Sequence, residues 1–285
     1  MNTAAIRDIV ALALREDVGP GDLTTRCLLP GDPAGRACLR AREGLVLSGL
    51  PAAIETLRQV DRRVVLTPLA AEGDHLGPGG VIARLEGPAA SILTAERVCL
   101  NFLMRLSGVA TLTARYALAV AHTKAAVLDT RKTTPGLRVL EKAAVRHGGG
   151  HNHRFGLYDG LLIKDNHIAA SGSIALAVAR AREAAPHTLK IEVEVDTLAQ
   201  LREALAAGAD LALLDNMGPD TLRQAVALAE SFYAPAARRI SLEASGGITL
   251  ETIGEVAETG VDLISVGAIT HSAPAADIGL DWECF

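Results

Sequence analysis

The spacing of apolar positions predicts two regions of different architecture, which meet near residue 125. In the first region, helical periodicity and strand-like alternation follow one another without a regular order. Mixed strands and helices in a segment of this size are typical of an α+β domain. The pattern predicts helices at residues 3–15 and 52–60, and strands at residues 37–47, 64–69 and 80–86.

A long and mostly apolar segment closes the first region, and its pattern predicts one buried helix. The helix is predicted to begin at Ser91, with Thr94 as the alternative cap, and to run to Gly108. Arg97 and Arg105 interrupt its apolar surface. Two interpretations are open for each arginine, an internal ion pair or a contact to a bound anion.

In the second region, short β-branched or leucine-rich runs alternate with alanine-rich helical segments. This alternation predicts a parallel sheet with right-handed crossovers, as in a β/α barrel. The predicted strands are residues 126–128, 161–163, 189–195, 211–214, 240–243 and 263–266, and the predicted helices include residues 174–184, 198–206, 221–230 and 250–258.

Polar residues or glycines lie at the carboxyl end of every predicted strand in this second region. In a β/α barrel these ends meet at one mouth, where active sites form. Six polar ends in succession therefore predict that the functional site is built there. In chain order they are Asp129-Thr-Arg-Lys, Lys164-Asp-Asn-His, Glu192-Val-Glu194, Asp215-Asn216, Glu243-Ala-Ser-Gly-Gly and Gly267-Ala268.

Basic residues are concentrated in one part of a chain whose net charge is -5. Three lysines, four arginines and four histidines lie between Asp129 and His167. Cations with fixed donors bind phosphates and carboxylates, so this density predicts a pocket for several anionic groups. The candidates at the barrel mouth are Arg131, Lys132, Arg154 and Lys164, with His153 beside them.

Two turns of small residues after the last predicted strands are candidates for holding a phosphate with backbone N–H groups. They are Ser245-Gly246-Gly247 and Val266-Gly267-Ala268. Phosphates often bind at this position of a barrel, although glycines there can also serve only as tight turns.

Two carboxylates, Glu194 and Asp215, are predicted at the same mouth. Carboxylates beside a phosphate pocket suit Mg²⁺, which prefers oxygen ligands and bridges phosphate oxygens. The alternative is a structural network with Lys164 or Arg131. The His151-Asn-His153 segment invites a zinc interpretation, but no third ligand has convincing spacing, so zinc is not expected.

The composition excludes several classes of function. The negative net charge and 3% aromatic content argue against binding to nucleic acid. No apolar run approaches the length of a transmembrane helix, and the polar start of the chain does not look like a signal peptide. Four scattered cysteines, Cys27, Cys38, Cys99 and Cys284, are typical of free thiols in a reducing compartment. We therefore expect a cytoplasmic protein.

Several of these segments together resemble the quinolinate phosphoribosyltransferase family, also called carboxylating nicotinate-nucleotide pyrophosphorylases. The resemblance covers nearly the whole chain, and its motifs stand in the family's order. They are Glu16-Asp-Val-Gly-Pro-Gly-Asp-Leu-Thr-Thr, Ala95-Glu-Arg-Val-Cys-Leu-Asn, Asp129-Thr-Arg-Lys-Thr-Thr-Pro-Gly-Leu-Arg, Gly148-Gly-Gly-His-Asn-His-Arg, Ile163-Lys-Asp-Asn-His, Glu192-Val-Glu-Val, Asp215-Asn-Met, Glu243-Ala-Ser-Gly-Gly-Ile and Ser265-Val-Gly-Ala.

The resemblance implies a fold and an assembly. The fold is an α/β protein with an incomplete, TIM-like parallel barrel at residues 111–269 and an N-terminal α+β open-faced sandwich at residues 1–110. Residues 270–285 are expected to return to the sandwich. The assembly is an obligate homodimer with shared active sites, or a hexamer built as a trimer of dimers, in which Arg97 reaches the partner's site.

The resemblance also implies a reaction, transfer of phosphoribosyl from 5-phosphoribosyl 1-pyrophosphate to quinolinate with decarboxylation, and a role for Mg²⁺. Quinolinate would be held by cations, and the 5-phosphate by the glycine turns. Lys132, Lys164, Glu194 and Asp215 would be catalytic, with Glu194 and Asp215 near the ribose and the metal. The implied substrate-binding set is Arg97, Thr130, Arg131, Lys132, His153, Arg154, Lys164, Glu194, Asp215, Ser245, Gly246, Gly247, Val266, Gly267 and Ala268.

Other functions remain open at this point. A sugar-phosphate aldolase or isomerase on a barrel would use Lys164 for a Schiff base. A non-catalytic anion-binding protein would keep the cations without needing inward carboxylates. Nicotinate in place of quinolinate would need fewer cations around the ring. A paralogous group linked to molybdenum transport shares the fold, but we expect it to lose parts of the Gly-Gly-Gly-x-Asn-His-Arg and Lys-Asp-Asn-His motifs, which are intact here.

Overall fold

The computed structural model describes residues 3–233 and 240–283, in two compact units. The first unit is Met1–Ala114, Thr133–Gly149 and Ile269–Phe285, and the second is Arg115–Lys132 and Gly150–Ala268. The helices are α1 Thr3–Asp17, α2 Leu23–Leu28, α3 Leu50–Val60, α4 Ala89–Val120, α5 Arg138–His147, α6 Asp165–Ser171, α7 Ile174–Ala184, α8 Leu198–Ala207, α9 Pro219–Tyr233, α10 Ile253–Ala257 and α11 Ala268–His271.

The strands alternate with these helices in the second unit and are mixed with them in the first. They are β1 Ala34–Ala41, β2 Leu45–Val46, β3 Val65–Pro68, β4 His75–Leu76, β5 Val81–Pro88, β6 Ala126–Leu128, β7 Leu161–Ile163, β8 Ile191–Val195, β9 Leu211–Asp215, β10 Ser241–Ser245, β11 Leu263–Ser265 and β12 Ile278–Trp282. Every strand predicted from the sequence has a counterpart here. The elements α2, β4, α5, α6, α11 and β12 were not predicted.

The first unit contains a four-stranded antiparallel sheet in the order β12-β1-β5-β3. The edge strand β12 comes from the carboxyl-terminal part of the chain, and its Leu280 pairs with Leu39 of β1. One core is formed by Leu39 and Ile82 from the sheet, Leu57 from α3 and Leu103 from α4, all of which are buried. The sheet packs against helices and is extended by β12 from the carboxyl-terminal part of the chain, which agrees with the expected open-faced sandwich.

The predicted limits of the long helix were wrong, because α4 extends from Ala89 to Val120. Ser91 and Thr94 lie inside it, and each bonds to a distant aspartate instead of capping the helix. Gly108 does not end the helix. A Cβ at Gly108 would lie 1.9 Å from the carbonyl oxygen of Pro274, so the glycine permits close backbone packing.

The two arginines of α4 have different surroundings. Arg105 makes the internal ion pair that was one of its two interpretations, because its Nη2 lies 2.7 Å from Glu141 Oε1. Glu141 is fully buried, and it also accepts hydrogen bonds from the Thr134 backbone and hydroxyl. Arg97 is exposed. The buried charge of Glu141 is thus matched within the first unit.

The glycine run at residues 148–150 begins beside α4. Its first member packs against that helix, since a Cβ on Gly148 would lie 2.3 Å from the carbonyl oxygen of Ala110. The preceding residue, His147, places its Nδ1 2.8 Å from Glu72 Oε2 and 2.9 Å from Ser48 Oγ. These contacts anchor the beginning of the run inside the first unit.

The second unit contains six parallel strands in the order β6-β11-β10-β9-β8-β7. The first and last strands of the sheet, β6 and β7, are not paired with each other, so it is an incomplete barrel, as expected. Glu194 of β8 pairs with Leu213 of β9, and Ser245 of β10 pairs with Asp215. This register brings the polar carboxyl ends of the strands to one edge.

Within the described ranges, no helix has both the length and the apolar character needed to cross a membrane. The cysteines Cys27, Cys38 and Cys99 are free thiols. Cys284 lies outside the described residues.

We expect Gly108→Ala to lower the free energy of unfolding by about 1–3 kcal/mol, because the new methyl group must displace the Pro274 backbone. Chemical denaturation monitored by circular dichroism measures the change. Gly254→Ala is the matched control, since Gly254 lies in α10 with nothing within 4 Å of the added Cβ. That control should be neutral or slightly stabilising. Equal effects of the two substitutions would contradict the packing role of Gly108.

Candidate active site

A cavity of about 260 Å³ opens at the carboxyl ends of the parallel strands, within the second unit. Nine of the residues proposed from the sequence line it, together with four that were not proposed. The nine are Thr130, Arg131, Lys132, His153, Arg154, Lys164, Glu194, Asp215 and Ser245, and the four are Leu162, Leu213, Glu243 and Ser265. The parallel register thus brings polar side chains from all six strands, or from the loops beside them, into one hollow, and all of these strands except β11 contribute a cation or a carboxylate.

The remaining residues proposed from the sequence are not part of this lining. Gly246, Gly247, Val266, Gly267 and Ala268 follow β10 and β11 at the same edge of the sheet. Arg97 belongs to the first unit and is exposed on α4. For these six residues the structure gives a position in the fold, and their contacts to substrate stay a prediction.

Lys164 and Glu194 form an ion pair across neighbouring strands. Lys164 follows β7 and is the N-cap of α6, where its backbone N–H donates to His167 Nδ1 at 2.9 Å. Glu194 lies one residue before the end of β8. The pair agrees with the structural network considered from the sequence, and it holds both side chains at the cavity wall.

Asp215 ends β9 and accepts a hydrogen bond from the side chain of Asn216 at 2.7 Å. Asn216 adopts a left-handed conformation with φ of 54°, and its backbone N–H donates to the Ser245 carbonyl at 2.8 Å. A Cβ on Gly246 would lie 2.2 Å from Asn216 Oδ1. Glycine is therefore required at position 246 for the loops after β9 and β10 to pack together.

Asp129 anchors the loop that carries His153 and Arg154. It is fully buried after β6 and accepts hydrogen bonds from Asn152 Nδ2 at 2.6 Å and from the His153 backbone at 2.9 Å. Arg154 donates from its Nη1 to the Gly160 carbonyl at 3.0 Å. Asp129 was recognised only as the start of a polar strand end, and its buried role could not be read from that pattern.

The two arginines of the cavity influence each other. Burial lowers the pKa of Arg154, and the nearby positive charge of Arg131 lowers it further. An anion bound between or beside two such like charges would be favoured by both of them. The arrangement agrees with the predicted carboxylate-binding cations.

A buried acidic pair lies below these cations and was not proposed as part of the site. His153 Nε2 is 3.1 Å from Glu192 Oε2 and 3.8 Å from Glu243 Oε1. Burial and then the charge of Glu192 raise the pKa of Glu243 to about 8. One signal could have found Glu192: residues two apart on a strand share a face, so Glu192 must face the same side as Glu194.

Six parallel strands carry cations and carboxylates around one cavity at their carboxyl ends. This arrangement defines an α/β-barrel enzyme that acts on anionic substrates. Comparison with known proteins makes the class more precise. The chain belongs to the quinolinate phosphoribosyltransferase family, because residues 22–107 match the family's N-terminal domain and residues 109–281 match its C-terminal domain.

Individual relatives agree with the family assignment over nearly their full length. The probable carboxylating nicotinate-nucleotide pyrophosphorylase of Bacillus subtilis is 47% identical, over 99% of this chain and 94% of its own. The enzyme of that name from Mycobacterium leprae is 44% identical, over 97% of each chain. The solved nicotinate-nucleotide pyrophosphorylase of Francisella tularensis superposes with a TM-score of 0.92 at 39% identity, over 99% of this chain and 98% of its own. This membership favours a phosphoribosyltransferase over the aldolase alternative.

We expect the free energy of unfolding to decrease as the pH rises from about 4.5 to about 8, and Glu243 is one cause of this decrease. Its pKa is about 8 when folded against an ordinary 4.5, so the folded state binds the additional proton throughout this interval. The stabilisation that comes from protonated Glu243 is fully present below pH 4.5 and is lost as the pH rises through 8. The slope from this group is at most about 1.4 kcal/mol per pH unit.

Glu243→Gln should flatten that part of the pH dependence, because the amide does not titrate. Urea unfolding of both proteins at several pH values between 5 and 8 measures the slopes. Parallel slopes in the two proteins would contradict the raised pKa of Glu243.

Proposed function

We propose that the protein transfers phosphoribosyl from 5-phosphoribosyl 1-pyrophosphate to quinolinate with decarboxylation, giving nicotinate mononucleotide, carbon dioxide and pyrophosphate, as in de novo NAD biosynthesis. The observation that carries this proposal is the single cavity in which Arg131, Lys132 and Arg154 face Glu194 and Asp215. The family to which the chain belongs supports it.

The charges of the cavity suit the two substrates. Quinolinate has two carboxylates, and the donor has a 5-phosphate and a pyrophosphate. Arg131 and Arg154 are suited to the pyridine diacid, because a guanidinium binds a carboxylate with two parallel hydrogen bonds. Lys132 and Lys164 are suited to quinolinate and to the phosphates of the donor. The turn at Ser245-Gly246-Gly247 and the turn at Val266-Gly267-Ala268 are suited to the 5-phosphate.

The reaction requires positioning and charge placement and no protein nucleophile. The pyridine nitrogen attacks C1 of the ribose while the bond to pyrophosphate breaks, and positive charge develops on the sugar. Glu194 or Asp215 beside the ribose would stabilise that charge. The pyridinium formed then accepts the electrons of the breaking carbon–carbon bond as the 2-carboxylate leaves as carbon dioxide. A proton replaces it at C2.

We propose that Glu194 and Asp215 hold Mg²⁺ when the phosphoribosyl donor binds. Both side chains offer only carboxylate oxygens to the cavity, which is the donor type that Mg²⁺ prefers. Glu194 is paired with Lys164 and Asp215 accepts from Asn216, so both carboxylates already lie in a hydrogen-bonded frame. When bound, the ion would supply positive charge against the leaving pyrophosphate.

We also propose that the protein is a cytoplasmic homodimer with shared active sites, either alone or as a trimer of dimers. Arg97 carries this part of the proposal. It is an exposed arginine in the Ala95-Glu-Arg-Val-Cys-Leu-Asn motif of α4, and it belongs to the first unit, whereas the cavity is lined entirely by the second. An arginine supplied by the partner would add a further cation to the site.

We expect Arg131→Ala to lower kcat/KM for quinolinate, because a charged contact to a carboxylate is lost. The loss corresponds to about 2–4 kcal/mol of transition-state stabilisation. The assay measures labelled carbon dioxide released from quinolinate in the presence of phosphoribosyl pyrophosphate and Mg²⁺. Arg180→Ala, an exposed arginine of α7 in the same unit, is the matched control and should resemble the wild type. A wild-type protein that releases no carbon dioxide would refute the proposed reaction.

A mixture of two inactive variants should regain activity if the site is shared. Arg97→Ala removes the residue proposed to act in the partner's site, and Lys132→Ala removes a residue of the chain's own cavity. In a heterodimer of the two, one of the two sites has both side chains intact. Kinetics of the mixed and the separate proteins measure the recovery, and its absence in proven heterodimers would count against sharing.

A further inference from the structure

Two buried carboxyl groups beside His153, those of Glu192 and Glu243, have no role in the reaction described above. Glu192 is 5% exposed and Glu243 is 1% exposed. A second cavity of about 550 Å³ in the same unit is lined by all three residues, and His153 and Glu243 also line the candidate active site. The group therefore forms part of the wall of the substrate cavity, where it can act on what binds there.

The hydrogen bonds of His153 determine where its ring carries a proton. The Arg154 backbone N–H donates to His153 Nδ1 at 2.7 Å, which requires a lone pair on that nitrogen. The proton of the ring is then on Nε2, which faces Glu192 Oε2 at 3.1 Å. A second proton on Nδ1 would break the bond to Arg154. The contacts thus favour an uncharged imidazole over an imidazolium.

The two carboxyl groups complement this uncharged ring. Burial and then the charge of Glu192 raise the pKa of Glu243, while His153 acts in the opposite direction. Glu192 Oε2 lies 3.1 Å from His153 Nε2, where it can accept the proton of that nitrogen. Ser265, which is buried beside them, also bonds to Glu243. Glu192 Oε1 and Glu243 Oε1 have no hydrogen-bond partner among the described residues.

A metal ion is the alternative occupant of such a group. The ligand atoms of His153, Glu192 and Glu243 all lie within 4.8 Å of one another. However, a metal on Nε2 needs the lone pair there, which moves the ring proton to Nδ1 and breaks the hydrogen bond from the Arg154 backbone. The geometry around His153 therefore favours a hydrogen-bonded group over a metal centre.

The same hydrogen bond connects the group to the substrate cations. Glu192 holds the His153 ring, the ring accepts a hydrogen bond from the Arg154 backbone, and Arg154 lines the cavity. Asp129 fixes the other side of this short segment through the His153 backbone. A change at Glu192 or Glu243 would therefore reach Arg154 through one intervening residue.

We propose that Glu192 and Glu243 are positioning residues, which hold His153 as an uncharged Nε2–H imidazole and through it place Arg154 for the carboxylates of quinolinate. This inference rests on the proposed reaction. It assigns a function to two carboxyl groups beneath a site for anions, where their charge alone would oppose binding. It also means that His153 contributes a fixed ring and a hydrogen bond, and Arg131 and Arg154 contribute the positive charge.

Steady-state kinetics test the positioning role. In Glu192→Gln the anionic acceptor for the Nε2 proton is lost, so we expect KM for quinolinate to rise about tenfold. KM for phosphoribosyl pyrophosphate should rise less than about twofold, because the change reaches Arg154 and not the glycine turns. Glu183→Gln, an exposed glutamate of α7, is the matched control. An unchanged KM for quinolinate in a folded Glu192→Gln protein would overturn the proposal.

A second measurement reads the state of His153 in the wild-type chain directly, and a folded His153→Gln protein is needed only to assign its signal. Nitrogen NMR of histidine-labelled protein at neutral pH, with His153 assigned from a His153→Gln spectrum, reports the protonation of each ring nitrogen. We expect a proton on Nε2 and none on Nδ1, and Glu192→Gln should weaken this preference. An imidazolium, or a ring with its proton on Nδ1, would overturn the proposal. A wild-type protein without quinolinate-dependent activity would refute the proposed reaction instead, while the NMR result still decides the state of His153.

Discussion

The parallel register of six strands is the constraint on which the rest of the second unit depends. Because the strands run in one direction, their carboxyl ends lie at one edge, and Glu194, Asp215 and Ser245 come together although they are far apart in the chain. The same register buries Glu192 and Glu243 one pleat below that edge. Charged side chains therefore lie at two levels of the barrel, and their charges are compensated in a different way at each level.

At the upper level, balance comes from opposite charges that meet across strands, as in the ion pair of Lys164 with Glu194. Burial and then the positive charge of Arg131 lower the pKa of Arg154, and the two guanidinium groups at one cavity favour anions. At the lower level, balance comes from protonation, since Glu243 has a raised pKa beside Glu192. A buried carboxyl pair with a single charge costs much less than one with two. The cavity thus stays attractive to anions although carboxyl groups lie beneath it.

Much of the fold could be predicted because its signals are local. The alternation of apolar runs and alanine-rich helices predicted all six parallel strands, and the polar strand ends together with the concentration of basic residues predicted nine residues of the cavity lining. What escaped prediction depends on distant partners. The strand Ile278–Trp282 exists because it pairs with β1, and α4 continues through Gly108 because that glycine packs on the Pro274 backbone. No pattern within either segment contains this information.

The amino-acid order alone was sufficient for the class of fold, the edge where the site forms and the sign of the charges gathered there, since periodicity and residue type decide these. It was not sufficient for the state of those charges. Burial and neighbours from other elements decide whether Arg105 pairs with Glu141 or with an anion. They also decide whether Glu243 keeps its proton and which nitrogen of His153 carries the proton of the ring. Desolvation and hydrogen-bond geometry arise only when the chain is folded, so the tertiary structure decided them.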